Sequence, residues 1–104
     1  MLHDTKHDLS QDSQDLLNAA DYIDQHGWCQ RITSLGKSVC LWGSLLAVTD
    51  GLGKFYSDAP RAKALYDKVN NYLGDYAAPW NDMTGRTKAE VTALLREVVL
   101  KSKE

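Results

Sequence analysis

The sequence contains few of the residues that cross-link or interrupt a chain. Its 104 residues include only two cysteines, two prolines and seven glycines. Two cysteines in a chain without a secretion signal predict free thiols rather than a disulfide framework. So little proline and glycine also excludes a loop-rich or collagen-like scaffold. We therefore expect a globular fold around an ordinary hydrophobic core.

Long apolar runs and a dominant charge are also missing. Residues 39–48 form the longest apolar stretch, which Gly43 and Ser44 interrupt, and a membrane-spanning helix needs about twice that length. Residues 1–8 lack the apolar segment of a signal peptide. A net charge of −2 argues against a DNA-binding domain, which usually needs a dense positive face. We expect a cytoplasmic protein that contacts neither membranes nor nucleic acid.

Apolar residues recur at spacings of three and four in several segments, which is typical of amphipathic α-helices. The pattern predicts helices over residues 10–26, 38–50, 60–73 and from Thr87 onwards. No alternating β-branched segment competes with it, so no sheet is expected. The predicted fold class is all-α, a compact bundle of about four helices. We expect residues 10–104 to form this single helical domain behind a loose tail of residues 1–9.

The second predicted helix, residues 38–50, is apolar on nearly every side. A helix of that kind must be enclosed by others, so we expect it to be the buried centre of the bundle. Ser38 is the expected cap at its start, and Gly51 is expected to end it. A glycine inside a helix costs about 1 kcal/mol of helix propensity. We therefore expect that Gly43 is present because its lack of a side chain leaves room for a closely crossing helix.

Capping residues mark the ends of the later helices. Asp58 is the expected cap of the third helix, just before Pro60, and Gly74 is expected to close it. Thr87 and Glu90 have the spacing of a capping box, in which each side chain accepts the other residue's backbone N–H. The last helix is therefore expected to begin at this point.

The sequence Leu-Gly-Lys-Ser at residues 35–38 resembles the end of a phosphate-binding loop. That motif needs a glycine five residues before its second glycine, and Arg31 occupies the position. No strand is predicted before it. We therefore predict no nucleotide site.

The two cysteines are candidates for a nucleophile or for zinc ligands. Cys29 follows a predicted helix C-terminus, where the helix dipole raises a thiol pKa, and Cys40 is expected to be an inert core thiol. His26, Cys29 and Cys40 have workable zinc spacing, but the fourth ligand would have to come from His3, His7 or a carboxylate. Burial of both cysteines is the simpler interpretation. We predict no catalytic residue, no metal and no cofactor.

Residues 80–87, with the sequence Trp-Asn-Asp-Met-Thr-Gly-Arg-Thr, form the most distinctive predicted loop. Asn and Asp close tight turns by bonding their own backbone, and Gly85 allows a left-handed step. Trp80 is expected to pin the loop to the core. This chemistry favours a structural role, and a binding surface is the alternative. Trp28 and Gln30 have the same two interpretations.

Three motifs together resemble a domain-of-unknown-function family of actinobacteria and their bacteriophages. They are Gly-Trp-Cys-Gln at 27–30, Cys-Leu-Trp-Gly-Ser-Leu-Leu at 40–46, and Trp-Asn-Asp with Gly-Arg-Thr within 80–87. The likeness covers residues 16–99. It differs in a short segment between the first two motifs and in Trp42 and Ser44, which replace residues that are usually smaller or more apolar. The resemblance implies a bacterial or phage cytoplasm and no particular activity.

The first and third motifs border helices expected to pack on the central one, so we expect them to meet. The preferred function is a non-catalytic protein that binds a protein partner, such as a phage or mobile-element accessory factor acting on a host protein. One alternative is a small enzyme or ligand-binding domain with a pocket at the corner where these motifs meet, which consists of Trp28, Cys29, Gln30, Trp80, Asn81 and Asp82. The other alternative is a DNA-associated regulator. The candidate binding residues are Trp28, Cys29, Gln30, Trp80, Asn81, Asp82 and Arg86.

Overall fold

The computed structural model describes residues 10–102, so the predicted tail and its histidines His3 and His7 lie outside the described residues. Within that range the chain is predominantly helical, which confirms the all-α prediction. A two-stranded hairpin and a 3-10 turn at Tyr56–Asp58 accompany the helices. The elements are α1 (Gln11–His26), β1 (Ser34–Leu35), β2 (Ser38–Val39), α2 (Leu41–Ala47), α3 (Pro60–Leu73), α4 (Ala77–Asn81) and α5 (Lys88–Ser102).

Helix α2 lies at the centre of the core, as predicted. It contacts α1, α3 and α4, and α1 packs along α5. Leu41, Leu45 and Leu46 of α2 are fully buried, and so are Leu16 of α1 and Leu95 of α5. No helix among residues 10–102 is long and apolar enough to cross a membrane.

The start of α2 differs from the prediction, because Ser38 belongs to a strand and does not cap the helix. The N-cap is Cys40, whose Sγ accepts the backbone N–H of Gly43 at 3.3 Å. A thiol is an unusual cap, and this is why the capping preferences of Ser, Thr, Asp and Asn pointed to the wrong residue. Helix α2 therefore begins at Leu41.

The prediction that no sheet forms is wrong at residues 34–39. Ser34 pairs with Val39 and Leu35 with Ser38 in a short antiparallel ladder. Gly36 makes the intervening turn with a φ of 62°, a conformation that suits glycine in two-residue hairpins. Strands this short carry no detectable periodicity, so the sequence pattern could not reveal them.

The end of α2 also comes earlier than predicted. The helix stops at Ala47, and the backbone N–H of Gly51 donates to the carbonyl of Leu46 at 2.7 Å. Gly51 adopts a positive φ of 108° in this turn. The glycine thus closes the turn after the helix, although the helical residues end before it.

Gly43 makes room for a loop rather than for a crossing helix. A Cβ at this position would overlap the carbonyl oxygen of Thr33, in the loop that follows α1. The same carbonyl accepts the N–H of Cys40 at 3.1 Å. The loop therefore lies so close to the first turn of α2 that only glycine fits there.

The cap of α3 comes from Asp50 and not from Asp58. Oδ2 of Asp50 accepts the backbone N–H of Ala62 at 2.8 Å. Asp58 lies in the 3-10 turn, and Ala59 at the N-cap position makes no side-chain cap bond. A cap supplied from so far along the chain has no local sequence signature. Gly74 closes the helix in the left-handed conformation, as predicted.

The capping box at the start of α5 is confirmed. The backbone N–H of Thr87 donates to Oε1 of Glu90 at 2.9 Å, and the N–H of Glu90 donates to Oγ1 of Thr87 at 3.2 Å. The hydrogen bonds from Thr87 lower the pKa of the Glu90 carboxyl, because they favour its ionised form.

We predict that Gly43→Ala lowers the free energy of unfolding by about 1–3 kcal/mol, because the added methyl group meets a backbone carbonyl that cannot rotate away. Helix propensity alone predicts the opposite sign, a gain of about 1 kcal/mol. Ala64→Gly at an exposed position of α3 serves as the control for propensity. Urea denaturation measures both variants, and a more stable Gly43→Ala protein would contradict the close approach.

Candidate functional site

The first and third motifs lie against each other at the C-terminal end of α4, as predicted. Trp80 and Asn81 are the last residues of that helix, whereas the sequence predicted a loop over residues 80–87. A residue of α3 caps the start of α4, since the backbone N–H of Ala77 donates to Oδ1 of Asn70 at 2.7 Å. That long-range cap explains why the local pattern missed the helix.

Asn81 is the centre of this corner, and only 1% of its surface is exposed. Its Oδ1 accepts the indole N–H of Trp28 at 2.7 Å and the backbone N–H of Leu41 at 3.1 Å. Its Nδ2 donates to the carbonyl of Cys29 at 3.3 Å and to Oδ1 of Asp82 at 3.0 Å. One amide side chain thus joins the loop after α1, the start of α2 and the end of α4.

Gln30 and Asp82 add hydrogen bonds on the outer side of the same corner. Nε2 of Gln30 donates to the carbonyls of Asn81 and Met83, each at 3.0 Å. Oδ1 of Asp82 accepts the backbone N–H of Arg31 at 2.8 Å. These bonds join the loop after α1 to the segment that follows α4.

Arg86 braces the corner by stacking on Trp80, with its guanidinium carbon 3.9 Å from the ring centroid. Its Nε donates to the carbonyl of Trp80 at 3.0 Å, and its two terminal nitrogens contact Glu90 and Met83. The side chain is only 15% exposed. All three nitrogens therefore have partners within the molecule, and a role of Arg86 in binding stays a prediction.

A cleft of about 320 Å³ opens beside the corner. Aromatic rings form one wall, since the Trp42 ring centroid lies 5.5 Å from those of Tyr56 and Tyr66. The remaining lining residues come from the loop after α1, from the N-cap of α2, from α4 itself and from the residue that follows α4. They are Arg31, Ile32, Thr33, Cys40, Ala78 and Asp82.

Asp82 is the one predicted site residue that lines this cleft. Trp42 belongs to the helix predicted as the buried centre of the bundle, and no role is predicted for Phe55 or Tyr56. Both lie in a segment without helical periodicity, yet both are exposed. Two adjacent aromatic residues in a predicted loop were the signal that could have located the aromatic wall.

Two charged residues of the cleft lining, Arg31 and Asp82, lie next to each other. Within residues 10–102, the guanidinium of Arg31 and Oδ2 of Asp82 each make no hydrogen bond or ion pair. Arg31 has a φ of 67°, in the left-handed region that residues other than glycine rarely adopt. The hydrogen bond from its backbone N–H to Asp82 holds this conformation.

The cleft contains a thiol, Cys40, that is poorly suited to nucleophilic attack. Burial raises its pKa, although the N–H of Gly43 acts in the opposite direction. Burial also raises the pKa of Cys29, with smaller contributions from Cys40 and Asp82. The direction agrees with the prediction for Cys29, and burial is its largest cause.

Among residues 10–102, no three histidine, cysteine or acidic side chains are grouped closely enough to hold a metal ion. His26, Cys29 and Cys40 therefore do not form a group of three ligands within the described part of the chain. Both cysteines are free and buried there.

Comparison with known proteins identifies the family. Residues 8–99 match a family of unknown function (DUF6197), and the match spans most of the chain. The chain therefore belongs to that family, which confirms the predicted resemblance to an uncharacterised family. Comparisons with curated proteins and with solved structures gave no match.

We predict that Asn81→Ala lowers the free energy of unfolding by about 2 kcal/mol or more, because it leaves buried donors without an acceptor, and each such donor costs about 1–3 kcal/mol. Gln30→Ala is the matched control. The contact of Gln30 with the Met83 carbonyl is exposed and its contact with the Asn81 carbonyl is part-buried, so water can replace its N–H groups. Urea denaturation compares the two variants, and an equal, small loss would show that Asn81 is dispensable.

We predict slow alkylation of both thiols by iodoacetamide in the folded protein at neutral pH. A raised pKa leaves less thiolate than in free cysteine, so the rate should increase as the pH rises above the ordinary thiol pKa, about 8.5. Mass spectrometry of the labelled protein measures the rate, and urea-unfolded protein is the control. Native labelling of Cys40 as fast as in urea would contradict this prediction.

Proposed function

We propose that this chain is a non-catalytic binding protein that receives a partner protein at the aromatic cleft. The observation that carries the proposal is the exposed apolar rim of the cleft. Ile32 is 51% and Tyr56 44% exposed, and the neighbouring Phe55 is also exposed. Apolar and aromatic residues left exposed around a concave site are typical of protein interaction surfaces.

The hydrogen-bonded corner around Asn81 supports the cleft, and the cleft itself is the proposed binding surface. Its bonds hold the backbone of Arg31 against Asp82, and both residues line the cleft. A binding surface on loops needs such support, because a loose wall would have to be ordered at each binding event. This division of roles assigns recognition to the cleft and rigidity to Asn81.

The chemistry of the cleft favours binding over catalysis. Burial raises the pKa of the Cys40 thiol, which disfavours the thiolate that would act as a nucleophile. A small-molecule-binding domain is the second candidate, because a volume of about 320 Å³ falls within the range of ligand pockets, about 300–1,000 Å³.

The cellular setting belongs to the same proposal. The resemblance to proteins of actinobacteria and their phages supports a bacterial or phage-infected cytoplasm. In that setting we infer an accessory factor, carried by a phage or mobile element, that acts on a host protein.

We predict that a cleft substitution abolishes capture of the partner while a substitution elsewhere does not. Ile32→Asp places a charge on the apolar rim, and Leu100→Asp places one on an exposed apolar position of α5 that does not line the cleft. Tagged wild-type and variant chains are compared by quantitative mass spectrometry of co-purifying proteins from an actinobacterial lysate.

The expected result is one protein recovered with wild type and Leu100→Asp, and reduced at least about tenfold with Ile32→Asp, because binding would bury the new carboxylate against an apolar surface without a counter-charge. Loss with Leu100→Asp but not with Ile32→Asp would move the interface to α5. A small molecule that co-purifies with wild type, without any protein, would favour the second candidate.

A further inference from the structure

We propose that the cleft recognises the C-terminal residue of its partner, a large apolar side chain next to a free α-carboxylate. This inference rests on the proposed function and specifies the chemistry of the partner. It is derived from three neighbouring features of the cleft: an unpaired guanidinium, an unpaired carboxylate oxygen and an aromatic wall.

The guanidinium of Arg31 supplies the site for an anion. It has no ion pair or hydrogen bond within the described residues 10–102, although Asp82 is its neighbour and binds its backbone N–H at 2.8 Å. The positive φ of Arg31, 67°, is a conformation that costs free energy and persists where the surroundings enforce it. The backbone of Arg31 is held in this way beside the cleft, and its guanidinium can bind a carboxylate through two parallel hydrogen bonds.

Asp82 supplies an acceptor beside that cation. Its Oδ1 is occupied by the N–H of Arg31 and by Nδ2 of Asn81, at 2.8 and 3.0 Å. Its Oδ2 has no partner in the part of the chain that the structure describes, so it can accept an N–H from a bound molecule. The Asn81 contact fixes the carboxylate plane and therefore the position of Oδ2.

The aromatic wall supplies the surface for an apolar side chain. Trp42, Tyr56 and Tyr66 pack with edge-to-face and tilted rings, and Trp42 is half-buried between the two tyrosines. The volume of about 320 Å³ accommodates one large residue and its backbone. Binding of an apolar side chain to such a surface is favourable because it removes apolar area from water.

A C-terminal residue presents these three complements from a single carbon. Its carboxylate, its amide N–H and its side chain all radiate from the Cα, so they can reach Arg31, Asp82 and the aromatic wall together. Capture of a terminal carboxylate is a recurring mode of peptide recognition. An amine would pair with Asp82 and the ring faces, but it would meet the positive charge of Arg31.

The test is a titration of the isotope-labelled full chain with small probes, followed by amide and indole NMR signals. The main probe is N-acetyl-phenylalanine, and its matched control is N-acetyl-phenylalaninamide, which lacks only the charge. A third probe, N-acetyl-Phe-Glu-amide, moves the carboxylate to a side chain. Phenethylamine tests recognition of a cation.

We expect N-acetyl-phenylalanine to bind at least about tenfold more tightly than its amide, since a charge-assisted bidentate pair is among the strongest hydrogen bonds. The shifts should affect the Arg31 amide and the Trp42 indole and spare the Trp28 indole, which faces Asn81. Arg31→Asn should remove the preference, because asparagine tolerates the left-handed backbone but carries no charge. Arg31→Lys should retain part of it.

Equal binding of the acid and the amide would overturn this inference, as would tighter binding of phenethylamine. Binding of N-acetyl-Phe-Glu-amide as tight as that of the main probe would replace the C-terminus by an acidic side chain. These outcomes leave the proposed function standing if Ile32→Asp still abolishes partner capture. An unchanged Trp28 indole signal in Arg31→Asn shows that the corner remains folded.

Discussion

Asn81 is an amide enclosed by the protein, and three separate parts of the chain use it to satisfy their hydrogen bonds. Its Oδ1 accepts from Trp28 and from the N–H of Leu41, a first-turn donor that has no acceptor within α2. Its Nδ2 satisfies the carbonyl of Cys29. Removing the amide would expose these groups to an apolar interior without partners, so the loop after α1, the start of α2 and the end of α4 can exist in this arrangement only together.

The same hydrogen bonds occupy the polar groups of several distinctive motif residues, and the cleft lies beside them. The polar groups of Trp28, Gln30 and Asn81 are hydrogen-bonded to neighbouring parts of the chain, and Arg86 is stacked on Trp80. Within residues 10–102 the guanidinium of Arg31 and Oδ2 of Asp82 have no partner, and both residues line the cleft. A rigid hydrogen-bonded corner next to a surface with unused bonding capacity is the arrangement expected of a preorganised binding site.

Local patterns predicted the parts of the fold that depend on local physics. Each of these signals comes from residues close together in the sequence. They are the apolar periodicity of α1, α3 and α5 and the capping box of Thr87 with Glu90. The cap of α3 by Asp50, the support of α4 by Asn70 and the fit of Gly43 against Thr33 each join residues distant in the chain. The meeting of the first and third motifs followed from helix packing, but the cleft required the positions of Trp42, Tyr56 and Tyr66, which no spacing encodes.

Hydrogen exchange at the two donors to Asn81 tests the central claim most directly. If the amide ties the fold together, the Trp28 indole N–H and the Leu41 backbone N–H are released only by global unfolding. NMR should then give both protons the same opening free energy as the slowest core amides, such as that of Leu95, and the same dependence on urea. Exchange of either proton at a rate near that of an exposed group, with the core amides still protected, would contradict the account.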